Sequence, residues 1–465
     1  MIDTAAPRNN IEANSIESCD IQHVLHPFTN LALHRDTTPL VIDRGDGVWV
    51  YDSHGKAYIE GISGLWCTSL GHGNRRLIEA ATRQLEKLPY AHLFASQATE
   101  PAARLAEALI KAAPAPMDKV FFASSGSEAN DTVIKIVRYY NNARGQPKRK
   151  KIIARHGGYH GVTLASASLT GLVHARNDFD LPIEGILHTA RPHYYRDAHP
   201  GESEQEFSAR LADELEALIL QEGRETVAAF IAEPVMAAGG VIMPPEGYFE
   251  RITDVLGRYG ILFIADEVIC GFGRLGTMWG SQAFGLKPDM VTCAKALSSA
   301  YLPISAVMVS KEIADVIAEN SARHGSFGHG YTYTGHPVAA AVALEVMAIY
   351  QDEDILGHVA GLAPVLARGF QRLADHRLVG DQRSLGMIGA VELVRDKETK
   401  AAFDPGMKLA ARLGASARDR GLMVRPLAGD IVALCPPLVI DQATLELVFE
   451  RFASALDDVW AEVAQ

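Results

Sequence analysis

One apolar run constrains this chain more than any other feature. Ile261-Leu-Phe-Ile-Ala265 is unbroken, rich in branched and aromatic side chains, and ends on Asp266 and Glu267. A short run without polar alternation is the pattern of a strand buried on both faces of a parallel sheet. Such sheets carry their chemistry at the carboxyl ends of their strands. A second apolar segment, Met290-Val-Thr-Cys-Ala294, closes on Lys295. Two adjacent strand ends therefore present one carboxylate and one amine to the same crevice.

That pair is what pyridoxal phosphate needs. An amine forms a Schiff base with its aldehyde, and a carboxylate holds the ring nitrogen protonated so that the ring can accept electrons. A site for the phosphate is also in view. Val120-Phe-Phe-Ala-Ser-Ser125-Gly126-Ser127-Glu128 runs from a strand into a helix. Gly126 lets the backbone approach closely, the amides of Gly126 and Ser127 open the helix, and the Ser127 hydroxyl can donate. A plain serine N-cap with acids in the first turn would read the same way. Tyr159, on the glycine-rich loop His156-Gly-Gly-Tyr-His160, can lie flat on a cofactor ring or pack in the core.

Two other motifs point elsewhere and are set aside. Gly271-Phe-Gly273-Arg-Leu-Gly276 spells the dinucleotide fingerprint. Yet its first glycine comes several residues after the strand, and Thr277-Met-Trp-Gly280 opens no amphipathic helix. His156 and His160 have a metal-like spacing with no third ligand near them in the sequence.

Composition narrows the function classes. With 44 Lys+Arg against 56 Asp+Glu the net charge is −12, which disfavours nucleic acid as a partner. Five cysteines form no even framework, so reduced thiols in a cytoplasmic enzyme are expected. Residues Met1 to Asn10 lack a signal-peptide apolar core. The most apolar later stretch, Val227 to Pro244, is broken by Glu233 and Pro234, so no membrane span is expected.

The length and the 48% hydrophobic content allow one large core and a smaller one. We expect an N-terminal arm and small antiparallel segment over 1–70, irregular or helical to about residue 35 and a meander from Val41 to Tyr58. A large domain over 71–350 should hold helices near Arg75–Leu88 and Glu100–Ala112. Its mostly parallel sheet should be built from strands at Lys119–Ala123, Lys151–Arg155, Val227–Ala232, Ile261–Ala265, Met290–Ala294 and Ser305–Val309. A smaller α+β domain over 351–465 should carry strands in Leu378–Val394, Leu422–Pro426 and Asp430–Pro436, with helices at Gly406–Arg420 and Gln442–Ala464.

Asp266-Glu-Val-Ile-Cys-Gly-Phe-Gly-Arg274-Leu-Gly276, then Phe284-Gly-Leu-Lys-Pro288-Asp289, then Lys295, resembles the signature of the class-III aminotransferases. These are pyridoxal-phosphate enzymes of the aspartate aminotransferase fold (fold type I). The likeness runs from about His26 to the C-terminus. It is nearest to the omega-aminotransferases of amine:pyruvate type, through Leu25-His-Pro-Phe28, Gly64-Leu-Trp66-Cys, His156-Gly-Gly-Tyr159-His-Gly161, Gly330-Tyr-Thr332-Tyr-Thr-Gly-His-Pro337 and Val424-Arg425-Pro426.

The resemblance implies roles. Lys295 would be the Schiff-base lysine and proton shuttle, and Asp266 the partner of the ring nitrogen. Tyr159 and Val268 would take the two ring faces. Gly126 and Ser127 would hold the phosphate, with Thr332 reaching it from a second subunit of a homodimer or a dimer of dimers. Phe28, Trp66, Tyr159 and Ala238 would line the substrate pocket, and Arg425 would bind the acceptor's carboxylate. The chain departs from relatives acting on ornithine or 4-aminobutyrate. Ala237 and Ala238 stand before Gly239 and Gly240, where those relatives carry a glutamate that pins the arginine. Ile269 stands where many have glutamine, and Ala296 where many have glycine. The expected activity is transfer of an amino group from an amine or omega-amino acid to a keto acid, with pyruvate foremost, in two half-reactions. An aminomutase or racemase on the same scaffold is the alternative, and a non-catalytic or dinucleotide-binding protein the alternative of another class.

Overall fold

The computed structural model describes residues 15–463. Residues 1–14 of the expected arm and Ala464 of the expected last helix lie outside the described residues. The rest of the arm is two short helices, Ile16–His23 and Leu31–His34, with Phe28 on the turn between them. Asp20 Oδ2 gathers that turn, lying 2.8 Å from His26 Nε2 and 3.1 Å from His34 Nε2.

A seven-stranded sheet forms the centre. Its spatial order is Lys119–Ala123, Ser305–Val309, Met290–Cys293, Leu262–Asp266, Val227–Ala232, Lys151–Arg155 and Ile186–Thr189. Only Ser305–Val309 runs against its neighbours. All six residues of Val227–Ala232 and all four of Met290–Cys293 are buried, as unbroken apolar runs require. Alternate side chains serve opposite layers. Ile152 and Ala154 pack with Val133 and Val137 of helix Gly126–Ala143. Ile153 packs on the other face with Phe207 and Leu211 of helix Glu204–Glu222. Burying each Ile, Val, Leu or Phe among them contributes about 1.5–3 kcal/mol, so the helices are held to the sheet and the sheet's carboxyl edge is fixed. The outermost strand, Ile186–Thr189, was not among the expected ones. It is short, and His188 and Thr189 disguise it.

The two ends of the chain share a lobe. Strands Ile42–Asp46, Trp49–Asp52 and Ala57–Glu60 form the expected antiparallel meander, and Leu422–Met423 joins it in parallel against Ile59 and Glu60. The expected strand Leu422–Pro426 is therefore two. Arg425–Leu427 leaves for a second sheet, at the edge beside Ile431–Leu434. An edge is where Pro426, lacking an N–H, can sit. Leu378–Val394 is likewise a hairpin, Val379–Leu385 with Ile388–Leu393, turning at Gly386 with φ 58°. A Cβ there would stand 2.5 Å from the Leu275 carbonyl carbon, so the close approach requires glycine. The expected helix Gly406–Arg420 begins late, at Leu409, because Lys408 with φ 51° separates it from the turn Pro405–Met407. Arg274, in the glycine-rich segment, is buried and bonded to the Met387 and Pro436 carbonyls at 2.9 and 2.6 Å. The fingerprint-like segment is thus a clamp between lobes, and only the four-residue helix Gly280–Ala283 follows it.

Candidate active site

The chemistry gathers where the sheet's strand ends meet the helix Gly126–Ala143. Asp266 closes its strand, pairs in register with Thr292 of the next strand, and is 2% exposed. A naked carboxylate at that depth would be costly. Its oxygens are instead supplied with donors. Asn130 Nδ2 donates to Oδ2 at 2.8 Å, His160 Nδ1 contacts the same oxygen at 2.8 Å, and the Val268 N–H donates to Oδ1 at 3.1 Å. Burial pushes the Asp266 pKa up, but the His160 contact and the Asn130 and Val268 hydrogen bonds outweigh it and hold the group below the ordinary carboxylate value. The carboxylate is ionised, buried and facing a cavity. A cationic ring nitrogen fits that environment.

Lys295 lies two residues past the neighbouring strand, in the left-handed region with φ 50°. That conformation costs a lysine free energy and turns its side chain into the cavity that Asp266 also lines. Burial lowers its pKa, while the Asp266 charge opposes the fall. A desolvated amine with a depressed pKa is a usable nucleophile and base at moderate pH.

The same cavity is walled by Tyr159, Val268 and Ile269, and floored by Gly126 and Ser127. Ser125 caps the helix by accepting the Glu128 N–H at 3.2 Å, and the Glu128 carboxylate accepts the Ser124 N–H at 2.7 Å. Two acids near this helix start, Glu128 and Asp131, are thus engaged by neighbouring donors, since Asp131 accepts from Thr163 Oγ1 at 2.7 Å and the Ser166 N–H at 2.8 Å. Ser127 Oγ accepts the Val162 N–H at 3.1 Å, which leaves its own hydrogen to donate. A Cβ on Gly126 would meet Val268 Cγ1 at 3.2 Å, so a side chain there would crowd the cavity. An ionised carboxylate, a helix N-terminus and a reactive amine around one cavity suit pyridoxal phosphate.

A second cavity opens directly onto the first, with Tyr159, Ile269 and Lys295 lining both. Phe28, Trp66, Ala238 and Arg425 surround it. Trp66 is 5% exposed whereas Phe28 is 62% exposed. Among the described residues no hydrogen bond or ion pair engages the Arg425 side chain. Thr332 is the one expected site residue that this chain does not bring to either cavity. It is exposed, and its carbonyl accepts the Tyr90 hydroxyl at 2.8 Å.

Three further polar residues line the first cavity without having been assigned to this site from the sequence, Asn130, Glu233 and His160, the last noted there only for its metal-like spacing from His156. Glu233 accepts the N–H groups of Tyr159 at 3.1 Å and Ala237 at 3.3 Å. Burial raises its pKa, and the Asp266 charge adds to the rise. Asn130 lies one helical turn beyond Gly126 on a largely buried helix, which is the only sequence signal it gave.

Comparison with known proteins is consistent across sequence and structure. The family model described as aminotransferase class-III matches residues 31–456. Gamma-aminobutyrate transaminase 1 of Solanum lycopersicum, a mitochondrial protein, is 48% identical over 462 residues, covering 99% of this chain and 90% of its own length. Its counterpart from Oryza sativa subsp. japonica is 50% identical over 443 residues, covering 95% and 86%. The omega transaminase of Pseudomonas jessenii in complex with PMP superposes with a TM-score of 0.96 at 51% identity, covering 97% of this chain and 99% of that one.

Proposed function

Because the chain belongs to the class-III aminotransferases, which work with pyridoxal phosphate, we propose that it is an omega-type enzyme. It moves the amino group of an amine or omega-amino acid, such as 4-aminobutyrate, to the keto acid pyruvate. The bound cofactor supplies an aldehyde that condenses with amines and a cationic ring that draws electrons from the substrate carbon. The chain supplies the rest. Asp266, steadied by His160 and Asn130, keeps a negative charge where the ring nitrogen needs its proton. Lys295 Nζ, its pKa depressed by burial, would take the proton from the amine-bearing carbon and deliver it to the cofactor's former aldehyde carbon, and in the second half-reaction would carry a proton the other way. Tyr159 and Val268, lining the same cavity, would hold the ring, and Gly126 and Ser127 would offer donors to the phosphate.

One observation carries the choice of acceptor. Arg425 is the one guanidinium among the residues lining the second cavity, and apolar Trp66, Phe28 and Leu427 surround it. A single clamp suits a monocarboxylate keto acid. A dicarboxylate would leave its second charge against apolar walls. With Ala238 where some relatives have glutamate, Arg425 can retreat when an uncharged amine tail enters. Incubating the protein with a panel of amines and either pyruvate or 2-oxoglutarate tests this. Alanine should form readily, and a preference for 2-oxoglutarate would overturn the reading.

The proposal includes a homodimer in which Thr332 of each subunit completes the partner's phosphate site. Its exposed position, away from both cavities of its own chain, supports that. It also includes a reducing compartment, the cytoplasm, supported by five free cysteines. Among the described residues no helix is long and apolar enough to cross a membrane.

A further inference from the structure

Trp66 reaches the substrate cavity from a backbone that resists holding it there. Ser63, Gly64 and Trp66 have φ of 51°, 65° and 65°. For residues other than glycine, bulky ones above all, that region is unfavourable and persists only where the surroundings impose it. The turn follows the strand Ala57–Glu60 and hands Leu65 and Trp66 to the cavity. At its first residue, Ser63 Oγ donates to the Cys435 carbonyl at 2.6 Å, and Arg274 Nη2 approaches the same Oγ at 3.4 Å. At its second, the Gly64 N–H donates to Glu60 Oε2.

Glu60 is an unexpected residue in this place. It is 4% exposed, and among the described residues no ion pair reaches it. Burial raises its pKa, with only the Gly64 N–H opposing the rise. An unpaired buried carboxyl is costly. The strand does not need it, since register is kept by the backbone, where the Glu60 N–H donates to the Val48 carbonyl at 2.8 Å. Nor does Glu60 line either cavity. Its one side-chain contact of consequence is the Gly64 amide, inside the turn that places Trp66.

We propose that Glu60 is a positioning residue for substrate specificity: by accepting the Gly64 N–H, it fixes the 63–66 turn and sets how far Trp66 reaches into the amine side of the pocket. The proposal rests on the omega-type reading of that pocket.

Two substitutions separate hydrogen bond from charge. Glu60→Gln keeps an acceptor of the same reach, and Glu60→Asp withdraws it by one methylene. In Glu60→Asp the KM for a bulky aryl amine should rise about fivefold, the worth of roughly one hydrogen bond. The KM for L-alanine should stay within about twofold, since a small donor does not press on Trp66. The absorption of bound cofactor should be unchanged. Glu60→Gln should resemble wild type with both donors. In a Trp66→Ala background, Glu60→Asp should have no further effect. Equal shifts for both donors, no shift for either, or a Glu60→Gln variant as impaired as Glu60→Asp would each overturn the proposal. Hydrogen exchange of the wild-type protein provides a test independent of any variant's folding and of any substrate. The Gly64 amide should be protected to the level of the strand Ala57–Glu60, and fast exchange there would refute the role. If the wild type transfers no amino group to pyruvate from any donor of the panel, the omega-type reading falls while the exchange measurement still decides the part played by Glu60.

Discussion

His160 Nδ1 and Asn130 Nδ2 each lie 2.8 Å from the same oxygen of Asp266, Oδ2. Two donors on one oxygen lock the rotation of the carboxylate. They leave its other oxygen, engaged among the described residues only by the Val268 N–H, as the one with capacity toward the cavity. A carboxylate can only accept, so His160 carries its proton on Nδ1. Its Nε2 is buried with no hydrogen-bond partner among the described residues.

Asp266→Asn should therefore bind cofactor, seen by its absorption, but lose turnover by about 10²–10³-fold, the scale for removing a preorganised charge or donor from a reacting centre. Because the Asp266 pKa is held below 3.8, the wild-type carboxylate should stay ionised throughout the working range. An Asn variant with unchanged kcat would contradict the assignment.

Lys295→Ala should abolish turnover and leave no cofactor attached after borohydride reduction. Peptide mapping of the reduced wild type should find the adduct on Lys295, and an adduct on Lys287 instead would refute the role. The depressed pKa has a further consequence. The amine's neutral share rises as pH increases through a value below 10.5. Titration of the cofactor-free protein by an amine-selective reagent should show Lys295 reacting at lower pH than surface lysines.

Arg425→Ala should raise the KM for pyruvate by an amount equivalent to about 1.5–3 kcal/mol, the worth of a hydrogen bond to a charged group. The half-reaction with an uncharged amine, followed by the cofactor's spectral change, should be much less affected. Equal losses in both half-reactions would make Arg425 structural.

Mixing Lys295→Ala subunits with Thr332→Ala subunits should restore activity that neither has alone. One of the two sites in each mixed pair would receive an intact lysine and the partner's intact threonine. Sedimentation of an active monomer at assay concentration would refute shared sites.

Glu392 predicts where acid stability fails. It is buried, yet despite that burial the His193 contact and the Arg383 and Arg196 guanidinium groups pull its pKa down to about 2. A depressed pKa means that the native state prefers the ionised form. The stabilisation is complete above the ordinary value of 4.5 and is lost as pH falls from there toward 2. The gap in Tm between wild type and Glu392→Gln should be widest above pH 5, by about that margin beyond the ordinary carboxylate range, and should close on acidification. A constant gap would show that the loss comes from packing.

Asp266 and Lys295 were legible because an unbroken apolar run has few ways to fold, and its end is visible. The ends of two such runs, close in sequence, made adjacent strands the natural reading. Glu233, Asn130 and His160 were not legible as site residues. A polar residue in a sequence does not say whether it will be buried against another, and His160 looked like a loose metal spacing until Asp266 was seen beside it. The break at Val424 was hidden for a different reason. Leu422 to Pro426 reads as one strand by local pattern, and it is divided between sheets because its first half pairs with Ile59 and Glu60, far away in the chain, and its second half with the nearby Ile431–Leu434. Glu60 ends a strand as an ordinary exposed carboxylate would, and its burial depends on the lobe packed over it.

The pairing of Leu422 with Ile59 and of Met423 with Glu60 also orders events during synthesis. The sheet that ends in the Trp66 turn gains its fourth strand only after residue 423 has left the ribosome. Everything that binds cofactor up to Lys295 is translated well before then. A nascent chain can assemble its cofactor crevice early, but the strand that holds the Trp66 turn in place waits for residues 422 and 423.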